Sequence, residues 1–154
     1  MIGQRAGLPG SIDCMASGPS NADLKSIWLF SSCTATELRK IRASLDATSV
    51  PAGKVLVDEG SLGREFFIIV EGTAAVTRNG KKITTLGPGN HFGEMAMLDR
   101  RPRSATVTSE TGMDLLVMSQ RQFSGLLESV PTIALKMLSA LATRLREVDA
   151  IAFG

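Results

Sequence analysis

The residues of this chain best suited to chemistry are concentrated between His91 and Val107, His-Phe-Gly-Glu-Met-Ala-Met-Leu-Asp-Arg-Arg-Pro-Arg-Ser-Ala-Thr-Val. Gly93 is followed at once by the carboxylate of Glu94 and a short apolar run, so a helical turn beginning there directs backbone N–H groups at an anion. Arg103 stands just ahead of the β-prone segment Ala105 to Val107. Its guanidinium is planar, permanently charged and able to hold two phosphate oxygens at once, which a lysine ammonium does not do in that geometry. Ser104 adds a hydroxyl beside it. One cation, one carboxylate, several N–H donors and a glycine that permits close approach form an inventory for gripping one phosphate and one sugar. Each residue alone has a simpler role: Glu94 as a helix N-terminal charge, Arg103 as half of a surface ion pair. The combination favours a ligand.

The neighbours of this segment read as scaffold. Gly87 and Gly89 flank Pro88 like a G-x-G phosphate loop, but Phe92 stands where a dinucleotide fingerprint needs its third glycine, so a turn is expected. His91 is expected to partner local backbone and not to act as a catalyst. Arg100 and Arg101 are expected in a solvated loop.

A chain of 154 residues with 44% apolar content suits one domain with its own core. The formal charge of +2 comes from scattered lysines and arginines, and the one tight cluster, Arg100, Arg101 and Arg103, is too local to indicate nucleic acid. No apolar run is long enough for a membrane span, and no secretory signal is recognisable. Cys14 and Cys33 lack C-x-x-C spacing and read as reduced thiols in a cytoplasm. With a single histidine, no two-histidine metal site is possible, and no metal or cofactor is expected.

These residues need elements to hold them. Residues 1–22, rich in Gly, Ser and Pro, read as a flexible leader, and Ser20-Asn21-Ala22 looks like the scar of an expression vector. A domain is expected over 23–149, with a tail at 150–154. From Asp23 the pattern is helical, with Leu24, Ile27, Trp28 and Ser31 on one side. A second helix starts at the capping box Thr34/Glu37, ahead of Leu38, Ile41 and Leu45. Between Thr48 and Ser119 the segments are short and β-branched and are punctuated by Gly, Pro or Asn, the pattern of an antiparallel barrel or sandwich. The segments are Lys54–Val57, Phe66–Val70, Thr73–Arg78, Lys82–Leu86, Ser104–Ser109 and Asp114–Met118, with a tight hairpin at Asn79-Gly80. Helix returns at the Ser119/Gln122 capping box, and Pro131 fits the first turn of a last helix running to about Val148. Ala134, Leu138, Leu141, Leu145 and Val148 recur on it at alternating four and three spacing, and packing on the chain's own barrel is the simplest use of that stripe.

The span Phe92 to Val107 resembles the phosphate-binding cassette of cyclic nucleotide-binding domains, the modules of the bacterial catabolite activator family, of the regulatory subunits of cyclic AMP-dependent protein kinase and of cyclic nucleotide-gated channels. Pro51-Ala52-Gly53-Lys54, Asp58-Glu59-Gly60 and Phe66-Phe67-Ile68-Ile69-Val70-Glu71-Gly72 match the family's early strands and glycines, and the likeness extends from Asp23 to Val148. It implies a mainly β fold, an antiparallel jelly-roll barrel with N-terminal helices and two C-terminal helices. It implies further that Glu94 accepts a hydrogen bond from the ribose 2′-hydroxyl, and that Arg103 pairs with the cyclic phosphate with help from Gly93, Ser104 and Ala105. Backbone N–H groups of Glu94, Met95, Ala96 and Ala105 would add donors. In the family the last helix either caps the base or forms a dimer seam, which points to Arg144 beside the purine with Met137 and Leu141 as apolar cover. Serine at position 104 favours cyclic AMP over cyclic GMP, since domains preferring the latter tend to carry threonine there.

The expected function is that of a cyclic nucleotide sensor without catalytic activity, in which cassette closure lets Leu98 move against the helices that follow the barrel. A homodimer through the last helix is an expectation of the resemblance, and no membrane partner is expected. A cyclic AMP-responsive transcription factor would need a helix-turn-helix after the last helix, for which residues up to Gly154 are too few, so direct DNA binding is not expected and a truncated sensor domain is the alternative. A cupin-like enzyme would need metal ligands that this chain lacks. A module that keeps the fold only for association would leave a charged arginine in an empty pocket, at a cost.

Overall fold

The computed structural model describes residues 21–94 and 101–153. Three short helical segments open the chain: α1 (Asn21–Lys25), a 3-10 turn (Trp28–Phe30) and α2 (Ala35–Ala43). Eight strands follow, β1 (Asp46–Val50), β2 (Val55–Val57), β3 (Glu65–Glu71), β4 (Ala74–Arg78), β5 (Lys81–Leu86), β6 (His91–Phe92), β7 (Thr106–Ser109) and β8 (Met113–Ser119), then α3 (Gln120–Ser129) and α4 (Pro131–Phe153). The strands form two four-stranded antiparallel sheets, ordered β1-β8-β3-β6 and β2-β7-β4-β5, and close into a jelly roll.

Local chemistry accounts for the elements that were legible in the sequence. Both capping boxes form: Thr34 and Glu37 bond each other's backbone N–H groups reciprocally, as do Ser119 and Gln122. Pro131 opens α4, where its missing N–H is not needed. At the β4–β5 hairpin Arg78 pairs with Lys81, and the two turn residues have positive φ, 54° at Asn79 and 78° at Gly80, the geometry of a type I′ turn.

Other expectations need correcting. The first helix begins at Asn21 and ends at Lys25, after which the chain tightens to a 3-10 turn; Leu24 and Ile27 are buried as expected, but Trp28 is exposed, and Leu29 and Phe30 carry the turn's burial. A repeat of three residues in the 3-10 turn displaces Trp28 from the face that a 3.6-residue repeat assigns to it. The sequence pattern does not single out strands β1 and β6. The last helix runs on to Phe153.

Two cores lie on either side of the β3/β8 sheet. Phe66 and Ile68 of β3, with Leu116 and Met118 of β8, face the helices and pack with Leu24, Phe30, Ile41, Phe123, Ile133 and Met137. Phe67 and Ile69, with Leu115 and Met113, face the barrel interior beside Val57, Ala74, Phe92 and Val107. Alternate residues of both strands are therefore buried on opposite faces, and this is why Phe66–Val70 and Leu115–Met118 read as continuous apolar runs. No single described helix is long and apolar enough to cross a membrane.

Candidate functional site

The segments after β6 and before β7 meet at a cavity of about 430 Å³. Strands β2, β4, β5 and β7 supply an apolar wall that includes Val57, Val76, Leu86 and Val107, while Gly93, Glu94, Arg103, Ser104 and Ala105 form its polar end. Arg144 reaches the same cavity from α4.

Arg103 is held from every side. Its backbone N–H donates to the carbonyl of Ser61 at 2.7 Å and its carbonyl accepts from Gly60 N–H at 2.9 Å, so the segment before β7 is stitched to the β2–β3 loop. The guanidinium, in a residue only 7% exposed, donates from Nη1 to the Gly93 carbonyl at 3.0 Å and from Nη2 to the Glu65 carbonyl at 2.8 Å. Burial lowers its pKa and the charges of Glu65 and Glu94 oppose that, but an arginine remains charged throughout. Two glycines make room for it. A Cβ on Gly93, where φ is +97°, would stand 2.7 Å from Nη1 and 2.7 Å from the Glu65 carbonyl oxygen, and a Cβ on Gly63 would overlap Nε, Cζ and Nη2. The side chain's direction is thus fixed by backbone and not by a flexible carboxylate partner.

Glu94 is buried, and each of its carboxylate oxygens has a basic neighbour: His91 Nδ1 at 3.3 Å from Oε1 and Arg144 Nη1 at 3.4 Å from Oε2. Burial pushes its carboxyl up, but the hydrogen bond and charge of His91, a backbone N–H and the charge of Arg144 together outweigh it and hold the carboxyl below its ordinary value. His91 therefore partners a carboxylate, contrary to the expected backbone role. Its ring also lies against Phe66, with centroids 5.5 Å apart, which links the site's carboxylate to the helical core.

Arg103, Ser104, Ala105, Gly93 and Glu94, brought together by the sequence reading, do line one cavity, with Arg144 among them. The apolar cover proposed on α4 does not. Met137 is buried in the helical core, one turn after Ile133, and Leu141 packs at the edge of that core. The buried line of α4 is Ile133 and Met137, continued by Leu141, whereas Leu138 and Leu145, seven residues apart on the stripe read from the sequence, are exposed. Met95, Ala96, Leu98 and Arg100 lie outside the described residues. Sequence reasoning missed the wall from the β4–β5 hairpin, Arg78, Ile83, Thr84 and Leu86. One signal is present, an isoleucine standing between Lys81-Lys82 and Thr84-Thr85. It missed Gly63 entirely, since a glycine's role here depends on a partner distant in sequence.

The profile of the cyclic nucleotide-binding domain matches residues 47–130, more than half the chain. The chain belongs to that family. A cAMP-dependent protein kinase regulatory subunit of Mycosarcoma maydis is 38% identical over 113 residues, which span 68% of this chain and 22% of the relative. A cyclic nucleotide-gated potassium channel of Mesorhizobium japonicum is 40% identical over 106 residues, 69% of this chain and 29% of the channel. The chain thus spans less than a third of either relative. Among solved structures, the Thermus thermophilus catabolite activator protein superposes with a TM-score of 0.75 at 29% identity, over 80% of this chain and 61% of that one. The family is one of regulatory, non-catalytic domains, and its jelly roll is the fold described above.

Proposed function

We propose that this chain is a regulatory sensor that binds a cyclic nucleotide, cyclic AMP in preference to cyclic GMP. The observation that carries this reading is the immobilised Arg103 fork opening on the same cavity as the buried Glu94 carboxylate. The guanidinium takes the exocyclic oxygens of the cyclic phosphate with help from Ser104 and backbone N–H groups at Gly93, Glu94 and Ala105. Glu94 accepts from the ribose 2′-hydroxyl. The apolar wall suits the face of a purine, and Arg144 meets the nucleoside end from α4. The preference for cyclic AMP rests on Ser104, where a threonine would accompany cyclic GMP binding.

The reading is regulatory because a ligand reaching Glu94 also meets Arg144, which α4 contributes to the cavity. A ligand shifts an equilibrium only as far as it prefers one state. Replacing the Arg144 contact by a ribose hydroxyl, or adding to it, changes what holds α4 against the barrel. Titration calorimetry with both nucleotides tests the proposal. Cyclic AMP should bind the wild type with micromolar or tighter Kd, and Arg103→Ala should lose at least ~2 kcal/mol, about thirtyfold. Arg103→Lys should recover little, because an ammonium cannot reproduce the fork. Equal affinities for wild type and Arg103→Ala would overturn the assignment.

Self-association through α4 is supported by Leu138 and Leu145, each more than 60% exposed. Sedimentation should show a dimer for the wild type and a monomer for Leu138→Glu/Leu145→Glu.

A further inference from the structure

Among the described residues, two side chains hold the Glu94 carboxylate, and they differ in how firmly they are themselves held. The backbone around His91 is tied down: β6 pairs His91 with Ile68 of β3, the Asn90 carbonyl accepts from Ile69 N–H at 2.9 Å, and Gly89 N–H donates to the Ile69 carbonyl at 2.8 Å. The His91 side chain is only 12% exposed, and its ring lies against Phe66, whose own ring is 4.8 Å from that of Phe123 in α3. Arg144 reaches the carboxylate from α4 through a long side chain that is 56% exposed, and meets it at 3.4 Å. One neighbour is locked by packing; the other is wetted and can swing aside.

The ring nitrogen facing Glu94 is Nδ1, 3.3 Å from Oε1, and a proton there makes it the donor. The other charged residues lining the cavity are Arg78, Arg103 and Arg144, so Glu94 is the one carboxylate among its described lining residues. We infer that His91 is a positioning residue, which turns the Glu94 carboxylate so that Oε2 is presented to a ribose 2′-hydroxyl and so gives the site its preference for ribose over deoxyribose. This inference rests on the cyclic nucleotide reading above. With Oε1 occupied by His91, the hydroxyl bonds Oε2 in place of the exposed Arg144 or beside it. Without the His91 donor, both carboxylate oxygens are open to the Arg144 fork. A neutral hydroxyl competes poorly with a two-point ion pair.

Calorimetry on the full chain with cyclic AMP and with 2′-deoxy cyclic AMP separates this role from a structural one, because only the first ligand offers the hydroxyl. The wild type should prefer cyclic AMP at least ~tenfold, the worth of a hydrogen bond to a charged group. His91→Phe keeps a ring against Phe66 but removes the donor, and should lower that preference at least ~fivefold. His91→Asn, whose amide nitrogen can stand near the Nδ1 position, should restore most of it. Both ligands are measured on the same protein, so any loss of folded protein cancels from the ratio. A preference that His91→Phe leaves intact, or that His91→Asn fails to restore, overturns the role of His91, while the nucleotide reading stands on cyclic AMP binding by the wild type. Equal binding of the two ligands by the wild type removes the contact between Glu94 and ribose, and the role of His91 with it. Failure of the wild type to bind either ligand overturns the nucleotide reading and this assignment together.

Discussion

Replacing Gly63 by alanine tests the site through a residue that touches no ligand. Gly63 does not adopt a positive φ, so an alanine meets no backbone strain there, and the atoms its Cβ would overlap are Nε, Cζ and Nη2 of Arg103. To restore ordinary carbon–nitrogen contact of about 3.5 Å the guanidinium must move by more than the slack in its two hydrogen bonds, at 3.0 Å to Gly93 and 2.8 Å to Glu65. Each such bond to a charged group contributes about 1.5–3 kcal/mol, and water entering from the cavity replaces part of that. The expected result is a stability loss of ~1–3 kcal/mol and a loss of cyclic AMP affinity of at least ~2 kcal/mol, about thirtyfold. Gly125→Ala is the matched control. Gly125 is in α3 with nothing within 4 Å of its built Cβ, so alanine should stabilise the chain by up to ~1 kcal/mol and leave binding unaltered. Thermal melting and calorimetry on both variants decide the matter. If Gly63→Ala binds cyclic AMP within about threefold of wild type, a difference under 1 kcal/mol, the claim that backbone immobilises the fork is wrong.

The Glu94 carboxyl lies below its ordinary value of 4.5 when folded, so its contribution to stability is complete above that pH and fades as pH falls through the lower folded value. The part of the melting-temperature difference between wild type and Glu94→Gln that comes from the Glu94 charge should therefore be lost as pH falls below 4.5; a difference that does not change in acid would contradict it. Ser109→Ala should cost ~1–3 kcal/mol in urea unfolding, because the buried Oγ accepts from Lys54 N–H at 2.8 Å and donates to the Pro51 carbonyl at 2.6 Å. Hydrogen exchange over residues 132–148 of α4 should slow on addition of cyclic AMP; equal exchange in its presence would indicate an inert binder.

What the sequence disclosed was whatever short-range chemistry decides. Asn79-Gly80, the two capping boxes and Pro131 each act within four residues, and each forms as read. Glu94 and Arg103 were legible as chemistry because few other arrangements explain a glycine, a carboxylate and an arginine in that order. The missed features depend on partners distant in sequence. Strand β1 pairs with β8 across more than sixty residues, Asp46 with Val117, and only the two-residue β6, pairing Phe67 with Phe92, closes that sheet. On the α4 stripe Leu141 packs on the core, whereas Leu138 and Leu145 depart from the reading for a related reason. Apolar residues on a helix form more than one line, and only the placement of the neighbouring core selects Ile133 and Met137 over Leu138 and Leu145.

From the second turn of α4 the Lys136 ammonium donates to the Trp28 carbonyl at 2.7 Å and to Ser31 Oγ, and lies 4.9 Å from the centre of the indole ring. The polypeptide therefore enters and leaves the barrel through one clasped bundle. A displacement of α4 that keeps these contacts carries the segment preceding α2 with it, so the first and last helical segments of the described fold are tied to each other as well as to the barrel.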